Sequence, residues 1–507
     1  MKRINLKLSA LFSAALLVGS CTNLDEKLND TWTDANFGKG QELDALLLAP
    51  YSNLFGFFGH NGYFTLQEVT TDEAMIPQRG GDWYDGGQPA GMHTHSYAPN
   101  YDAVNNLWTA AYAGVSACNR LLANPAVTDA AAIAELKAVR AFYYWVLMDN
   151  FGRVPVTTKL GEAKPQSSRA EVFAFIESEL LSTLEPLKDV KTNYAHMTVY
   201  TVHALLAKLY LNAGVYTGTT QYTKAAEQAD AVLAGPFELE AKYFDVFKAT
   251  NNGSKEHIWV VPYDRSFGTG FNLAQMTLHY GSQDTYKLTA QPWNGYCSLE
   301  EFYNSYDDAD ARKKNNFVVG TQYKYGTTDP VTDGSAEAND PDGAILNFTP
   351  TVNELAPNAL RQAGARIGKY EFAIGSQPDL DNDFPIFRLG DILLVKAEAS
   401  FRAGGSWNNT DATGLLYLNK IRNRAGLPDV NSVTEDEFLA ERGREVFAEA
   451  WRRNDLIRFG KYGQPWFGKN ASDNADGHLN VFPIPIAQIT ATSGTPTALT
   501  QNPGYPN

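Results

Sequence analysis

Apolar residues recur every three to four positions in two long blocks of the chain, residues 102–236 and 385–460. In "TVYTVHALLAKLYLNAG", for example, Val202, Leu205, Leu206 and Leu209 follow the i, i+3, i+4, i+7 spacing of one helix face. Several of these segments end at glycine, which readily adopts the left-handed conformation that closes a helix. We therefore expect both blocks to form a helical scaffold.

The blocks divide into eight segments. The first predicts helices in "DAVNNLWTAAYAGVSACNRLL", "AAIAELKAVRAFYYWVLMDNFG", "AEVFAFIESELLSTLEPL", "TVYTVHALLAKLYLNAG" and "YTKAAEQADAVLAG", and the second in "PIFRLGDILLVKAEASFRAGG", "TGLLYLNKIRNRAGLP" and "EDEFLAERGREVFAEAWRRNDLIRFG". We interpret the last as one helix with Val446, Ala450 and Ile457 on one face, and Glu449 and Arg453 paired at i, i+4.

A faint internal repeat accompanies this pattern. Residues 204–214 ("ALLAKLYLNAG") and 391–404 ("DILLVKAEASFRAG") both run from small and apolar residues into glycine, followed by a polar turn and a second helical segment. Paired helices of roughly 34 residues per unit are typical of tetratricopeptide repeats, although the consensus match is poor.

The intervening residues 237–384 are irregular. "EHIWVVPYD" predicts a short strand, and "DPVTDGSAEANDPDGA" a polar loop. A helical scaffold that carries long aromatic loops favours a function located in those loops.

The first 21 residues have the pattern of an export signal. Lys2, Arg3 and Lys7 precede an apolar run that ends in "VGSC", which resembles a lipobox. We expect residues 1–20 to be a lipoprotein signal peptide, Cys21 to be lipidated, residues 21–40 to be a tether, and residues 41–507 to form one domain. The alternative is an ordinary signal peptide with a chance cysteine. No second apolar run is long enough to span a bilayer.

The charge of the chain excludes some partners. The formal net charge is −15, and residues 1–20 are basic, so the remainder is more acidic still. This argues against nucleic acid and polybasic membrane contacts. Beyond Cys21 only Cys118 and Cys297 remain, and we expect both to be free and structural.

Motifs of common enzymes are missing. The chain has no G-x-S-x-G, H-E-x-x-H or P-loop sequence. His93 and His95 lack an identifiable third metal ligand. The loop "DLDND" (Asp379, Asp381, Asp383) has the alternating oxygens of a calcium site but lacks its glycine and terminal glutamate. We therefore expect no cofactor, with a structural calcium ion as the remaining alternative. Paired carboxylates for glycoside hydrolysis stay open, because their spacing is spatial.

The nine tryptophans fall into two classes by sequence context. Those in helical or strand-like runs predict core positions: Trp108, Trp145, Trp259 and Trp451. Those among Gly, Asn, Pro or Gln predict loops: Trp32, Trp83, Trp293, Trp407 and Trp466.

Two of these loops have the composition of a sugar site. "RGGDWYDGGQ" (79–88) and "TAQPWNGYCS" (289–298) place aromatic rings beside Arg, Asp and Asn. The C–H face of a sugar ring packs on such rings, and paired hydroxyls suit those polar groups. From composition alone, binding a sugar and plugging the scaffold are about equally supported.

Taken together, these segments resemble the SusD/RagB family of glycan-binding lipoproteins of Bacteroidetes. The resemblance rests on "VGSC", "RGGDWYDGGQ", "AVRAFYYWVLMDNFGRVPV", "FRLGDILLVKAEASFRAGG", "LNKIRNRAGLP", "ERGREVFAEAWRRNDLIRFGKY" and "FPIPIAQI…LTQNPGY". It implies a mainly α fold with four tetratricopeptide-like helix pairs, packed against a loop-rich half with a few short strands.

The resemblance also implies a function. A lipid at Cys21 would anchor the protein to the outer membrane, and Asp25 and Glu26 are similar to the family's acidic surface-export signal. There the protein would capture a glycan without cleaving it and pass it to a SusC-type TonB-dependent transporter. A lipid-anchored glycoside hydrolase and a helical scaffold with only a protein partner are the alternatives.

The resemblance favours the aromatic residues of the two loops as ligand contacts, and we add polar residues of suitable type as further candidates. The expected ligand residues are Trp83 and Tyr84 in the first loop, Trp293 and Tyr296 in the second, and the polar residues Arg79, Asp72, Asn294 and Arg366. Core packing is the alternative for Cys297 and its neighbours.

Overall fold

A computed structural model describes residues 41–189, 193–334 and 343–506. The predicted signal peptide, Cys21, the tether and Trp32 lie outside these residues. Within them the protein is mainly helical with small two-stranded sheets, as expected from the sequence. No helix in the described part is long and apolar enough to cross a membrane.

The helices are short except within the scaffold. In chain order they are α1 (Gln41–Ser52), α2 (Tyr63–Glu68), α3 (Gln88–His93), α4 (Asp102–Leu122), α5 (Ala130–Phe151), α6 (Arg169–Leu187), α7 (Val199–Leu211), α8 (Ala213–Thr217), α9 (Tyr222–Leu233), α10 (Leu273–Thr277), α11 (Ser282–Tyr286), α12 (Glu300–Asn304), α13 (Ala311–Asn316), α14 (Leu389–Phe401), α15 (Ala412–Arg424), α16 (Glu435–Val446), α17 (Arg452–Arg458) and α18 (Ile486–Thr492). Short 3-10 helices occupy Asp85–Gly87, Tyr243–Phe247 and His478–Asn480.

The long helices pack in a row. Helix α4 packs on α5, α5 on α6, α6 on α7, α7 on α9, α9 on α14, and α14 on α15. Side-chain caps fix several of their starts, such as Ser168, which caps α6 together with Glu171. The apolar faces that the sequence pattern predicted contribute to one large core, in which Trp108, Trp145, Trp259 and Trp451 are buried, as predicted.

The strands join distant parts of the chain. They are β1 (Ala74–Met75), β2 (Val154–Pro155), β3 (Gln166–Ser167), β4 (His257–Val261), β5 (Cys297–Ser298), β6 (Phe317–Val318), β7 (Gly320–Thr321), β8 (Asn347–Phe348), β9 (Arg366–Ile367) and β10 (Phe384–Arg388). Antiparallel pairs form between β1 and β5, β4 and β10, β2 and β3, β6 and β9, and β7 and β8. The strand predicted in "EHIWVVPYD" is β4.

One predicted helix is wrong, and residues 385–388, predicted as the start of another helix, instead belong to strand β10. The segment 435–458 breaks between α16 and α17, where Ala448 and Ala450 take positive φ angles of 55° and 64°. Glu449 therefore does not pair with Arg453. Its carboxylate instead binds the buried Arg388 at 2.6 and 2.7 Å, and contacts Lys369. Because of the break, this carboxylate lies in the core, a position that helical periodicity alone does not predict.

Buried ion pairs fill the space between the scaffold and the loop-rich half. Arg388 is 1% exposed and contacts the carboxylates of Glu256, Glu445 and Glu449. Arg312 joins the same cluster through Glu445. Such groups are stable out of water only when every charge has its partners.

Two further buried carboxyls give an expected pH dependence of stability. Burial raises the pKa of Glu68 to about 7, and burial followed by repulsion from Glu68 raises the pKa of Glu73 well above its ordinary value. The folded protein therefore keeps a proton that the unfolded chain releases above about pH 4.5. The resulting stability is fully present below that pH and is lost as the pH rises through the folded pKa.

Glu68→Gln should weaken this pH dependence. The side-chain carbonyl of the introduced glutamine can still accept the hydrogen bond that the Ala450 N–H donates to Glu68 at 2.7 Å, while one titrating proton is removed. Between pH 5 and pH 8 we expect the variant to lose about 2 kcal/mol less unfolding free energy than the parent. Urea unfolding at both pH values checks this, and equal losses would contradict it.

Candidate glycan-binding pocket

The strand pair β1–β5 brings the two aromatic loops together. The two strands are antiparallel and Met75 is opposite Cys297. The end of β1 therefore lies beside the start of β5. Residues 79–88 follow β1, and residues 293–296 precede β5. Loops more than 200 residues apart in the sequence therefore share one end of this small sheet.

An open cavity lies between these loops and the starts of α2, α3 and α4. Its volume is about 320 Å³. It is lined by His60, Asn61, Thr65, Ile76, Trp83, Asp85, Gln88, Pro89, Met92, Asp102 and Tyr296. We call it the aromatic pocket.

Local backbone geometry presents the Trp83 ring to this pocket. Trp83 has a φ of 60°, a left-handed conformation that is uncommon for a bulky residue, and its ring lines the cavity. Its indole nitrogen donates a 2.7 Å hydrogen bond to the carbonyl of Trp293. The ring lies against Gly295, where a Cβ atom would be 2.4 Å from it. A side chain at position 295 would therefore displace the ring.

Trp293 and Tyr296 surround Trp83. The centroids of the Trp83 and Tyr296 rings are 5.6 Å apart with an edge contact, and the centroids of Trp83 and Trp293 are 6.4 Å apart. Tyr296 is buried, and its hydroxyl shares a 2.7 Å hydrogen bond with Thr65. Trp293 is 36% exposed beside the pocket, and Tyr84, at 57%, projects from the first loop.

His60 lines the pocket next to Trp293, with ring centroids 4.8 Å apart. The side-chain carbonyl of Asn272 accepts the His60 backbone N–H at 3.1 Å, so the Asn272 amide nitrogen donates to Nδ1 of His60 at 3.0 Å. The neutral ring then carries its proton on Nε2. Burial lowers the pKa of His60, against a rise caused by Asp85. His60 is thus a neutral ring that can donate a hydrogen bond from Nε2.

Arg79 supports the pocket from behind. It is buried and donates to the carbonyls of Asn294 at 2.9 Å and Ala363 at 3.0 Å, and to that of Leu360. Because these contacts take its guanidinium away from the pocket, the expected role of hydroxyl ligand does not fit its position. Arg79 instead fixes the loop that carries Trp293.

Three other predicted polar residues also lie away from the cavity. Asn294 is buried at a φ of 56°, a conformation that asparagine tolerates well. Asp72 forms two 2.7 Å contacts with Arg452, in a separate cleft beside Trp466. Arg366 is fully buried, with its guanidinium 4.7 Å from the centre of the Phe348 ring. The structure therefore does not bring Asn294, Asp72 or Arg366 into the pocket.

The other two loop tryptophans, Trp407 and Trp466, pack against the rest of the protein. Trp407 stacks on Phe401 with centroids 4.9 Å apart and donates to the carbonyl of Val433 at 2.9 Å. Trp466 donates to the carbonyl of His93 at 3.2 Å, and Lys469 covers its ring at 4.0 Å. Of the four loop tryptophans in the described residues, two line or flank the aromatic pocket, and two are partly buried against the core.

The loop "DLDND" distributes its carboxylates among separate partners. Asp379 accepts from the Gly270 N–H at 3.2 Å, Asp381 pairs with Arg265, and Asp383 is buried. Among the described residues no group of three or more His, Cys, Asp or Glu side chains is placed to hold a metal ion. Cys118 and Cys297 are buried and free.

Sequence reasoning missed the polar rim of the pocket. His60, Gln88 and Asp102 line it together with Asp85, a residue of the first loop that was not singled out. The Gln88 side-chain carbonyl accepts the Asp102 N–H at 2.9 Å, which joins the loop to the start of α4. The sequence "GHNGYF" around His60 carried a usable signal, since two polar residues between glycines are typical of a loop.

The variant Arg79→Lys should show whether Arg79 supports the loop that carries Trp293 or contacts the ligand directly. A lysine cannot reach all the carbonyls that the guanidinium bridges, so we expect a loss of about 2 kcal/mol in unfolding free energy. Affinity for a ligand of the aromatic pocket should fall about tenfold, because the Trp293 loop loses its anchor. Urea unfolding and calorimetric titration measure the two effects. Unchanged affinity despite lower stability would contradict the supporting role.

Two separate parts of the chain match family models. Residues 369–505 match the model described as "SusD family", and residues 64–211 match that described as "Starch-binding associating with outer membrane". The chain belongs to the SusD/RagB family. The first match covers β10 and α14–α18, together with Arg388, Glu445 and Glu449 of the ion-pair cluster, and the second begins in α2 at the pocket.

Individual SusD relatives match most of the chain. The starch-binding protein SusD of Bacteroides thetaiotaomicron is 26% identical over 502 residues, covering 88% of this chain and 86% of the relative. A SusD-like protein of Bacteroides ovatus is 23% identical and covers 90% of this chain and 83% of the relative.

Solved structures share the SusD fold. Surface glycan-binding protein A from Bacteroides uniformis has a TM-score of 0.71 at 20% identity, covering 91% of this chain and 98% of that chain. Surface glycan-binding protein A from Bacteroides thetaiotaomicron, in complex with laminarihexaose, has a TM-score of 0.68 at 21% identity, with the same coverage. These similarities confirm the predicted fold class.

Proposed function

We propose that this protein binds a glycan in the aromatic pocket and delivers it to a SusC-type TonB-dependent transporter in the outer membrane. The observation that carries the proposal is the convergence of Trp83, Trp293 and Tyr296 around one open cavity with a polar rim. A sugar needs such a combination, because its ring has an apolar face and its edge carries hydroxyls.

The geometry supports different roles for the Trp83 ring and for the polar rim of the pocket. The half-buried Trp83 ring is fixed by its hydrogen bond to Trp293, so little side-chain entropy is lost when a sugar stacks on it. Asp85, Asp102 and Gln88 offer carboxylate and amide groups to hydroxyls. Stacking contributes about 0.5–1.5 kcal/mol beyond the buried area. Because hydroxyls must also lose water, we expect affinities from about micromolar to millimolar.

The relatives support the same ligand class. One is named a starch-binding protein, and one similar structure holds laminarihexaose. These names describe binding of glycans, which favours a non-catalytic role for this chain over the hydrolase alternative. The relatives bind different glycans, so the particular polysaccharide must be found by experiment.

The membrane part of the proposal rests on the sequence and the family. The "VGSC" segment supports lipidation at Cys21, and the model matched by residues 64–211 is described as associating with the outer membrane. The acidic Asp25 and Glu26 support an outward-facing position. A tethered binding protein would raise the local glycan concentration at the transporter.

Affinity electrophoresis tests the binding role. The soluble chain from Thr22 is run through gels that contain amylopectin, laminarin, inulin, galactomannan, xyloglucan or polygalacturonate. We expect retardation by one class of polysaccharide and no release of reducing ends on long incubation. Reducing ends that accumulate with time would favour the hydrolase. Failure of every polysaccharide to retard the protein would contradict the proposed function.

A further inference from the structure

The polar rim of the aromatic pocket carries negative charge. Asp85 and Asp102 both line it, and both are solvent-exposed. Asp85 follows Trp83 by two residues, and Asp102 begins α4. A ligand stacked on the Trp83 ring would therefore lie close to two carboxylates.

No opposing cation lines the same cavity. Its lining residues, taken from the described part of the chain, include neither lysine nor arginine. The nearby guanidinium of Arg79 donates to backbone carbonyls behind the pocket. His60 is the one lining residue that could become positive, and burial lowers its pKa, which favours the neutral ring.

The hydrogen-bonding groups suit an uncharged sugar. Carboxylates accept hydrogen bonds from pairs of sugar hydroxyls, and the neutral His60 can donate from Nε2 to a sugar oxygen. A uronate or sulfate group offers only acceptors to the carboxylates and repels them. The whole chain, with a formal net charge of −15, adds to this repulsion.

We propose that the aromatic pocket accepts uncharged glycans and rejects polysaccharides that carry uronate or sulfate groups, with Asp85 and Asp102 as the rejecting residues. This inference rests on the proposed function, because it specifies the ligand class of the same pocket. At neutral pH and low salt, a uronate in place of a neutral sugar should weaken binding by about tenfold or more.

A matched pair of probes tests the charge directly. The neutral polysaccharide that retards the parent protein is partly oxidised at C6, which converts some hexose units into uronates of the same backbone. Binding of both forms is compared for the parent, for Trp83→Ala and for the double variant Asp85→Asn/Asp102→Asn. Asparagine preserves the size of each side chain and tolerates the 37° φ of Asp85. Thermal unfolding verifies that each variant is folded.

The expected result is a ratio of neutral to oxidised affinity of at least about ten in the parent, falling to about three or less in the double variant. Equal binding of both forms by the parent would overturn the inference while the proposed function stands. A ratio that is the same in the double variant and in the parent would also overturn the inference. So would retardation of the parent protein by polygalacturonate, if Trp83→Ala abolished that retardation. If no polysaccharide binds at all, the proposed function fails, and this inference fails with it.

Discussion

Trp83→Ala is expected to weaken glycan binding by at least about thirtyfold, which corresponds to about 2 kcal/mol. The substitution removes the stacking surface and the indole N–H that holds the Trp293 carbonyl at 2.7 Å. It also leaves an empty space beside Gly295, against which the ring packs. The effect should therefore exceed the stacking energy alone, which is about 0.5–1.5 kcal/mol.

A matched control distinguishes this effect from general destabilisation. Tyr417 is a half-buried aromatic residue on α15, in the helical scaffold. Tyr417→Ala should bind the polysaccharide as the parent does. Isothermal titration with the polysaccharide identified by electrophoresis measures both variants. If Trp83→Ala bound within about threefold of the parent, the binding surface would have to lie elsewhere.

Arg388→Met is expected to cost about 3–5 kcal/mol of unfolding free energy, enough to leave much of the protein insoluble at 37 °C. Arg388 is 1% exposed and lies among Glu256, Glu445 and Glu449. Methionine retains much of the side-chain volume but leaves these carboxylates with less positive charge. Because they are buried, the lost pairing is not replaced by water.

An exposed ion pair provides the comparison for Arg388. Lys255 and Glu238 are 2.7 Å apart, with side chains 63% and 67% exposed. Lys255→Met should change stability by less than about 1 kcal/mol, since water and salt screen such pairs. Urea unfolding of both variants measures the contrast. A similar small loss for Arg388→Met would mean that the buried cluster is not required for stability.

The helical half was largely predictable because its periodicity is local. Val202, Leu205, Leu206 and Leu209 were placed on one helix face, and all four are buried in α7. The break after Val446 was not predictable in the same way. It is stabilised by long-range contacts, such as that of Glu449 with Arg388, which no local pattern records.

The pocket was predictable only in part. The composition of the loop around Trp83 indicated an exposed ring, and the structure places that ring at a cavity. The pairing of Trp83 with Trp293 depends on the two-residue strands β1 and β5, which are too short to leave a pattern. Arg79 shows the same limit. Its residue type suited a contact with the ligand, but in the structure its guanidinium binds backbone carbonyls instead.

The most direct measurement is a crystal structure of the protein with an oligosaccharide of the polysaccharide that it binds. We expect a neutral sugar ring within about 4 Å of the Trp83 ring, in the cavity that Trp83 and Tyr296 line, with hydroxyls directed at Asp85 or Asp102. A sugar bound at another surface while the aromatic pocket stays empty would contradict the account.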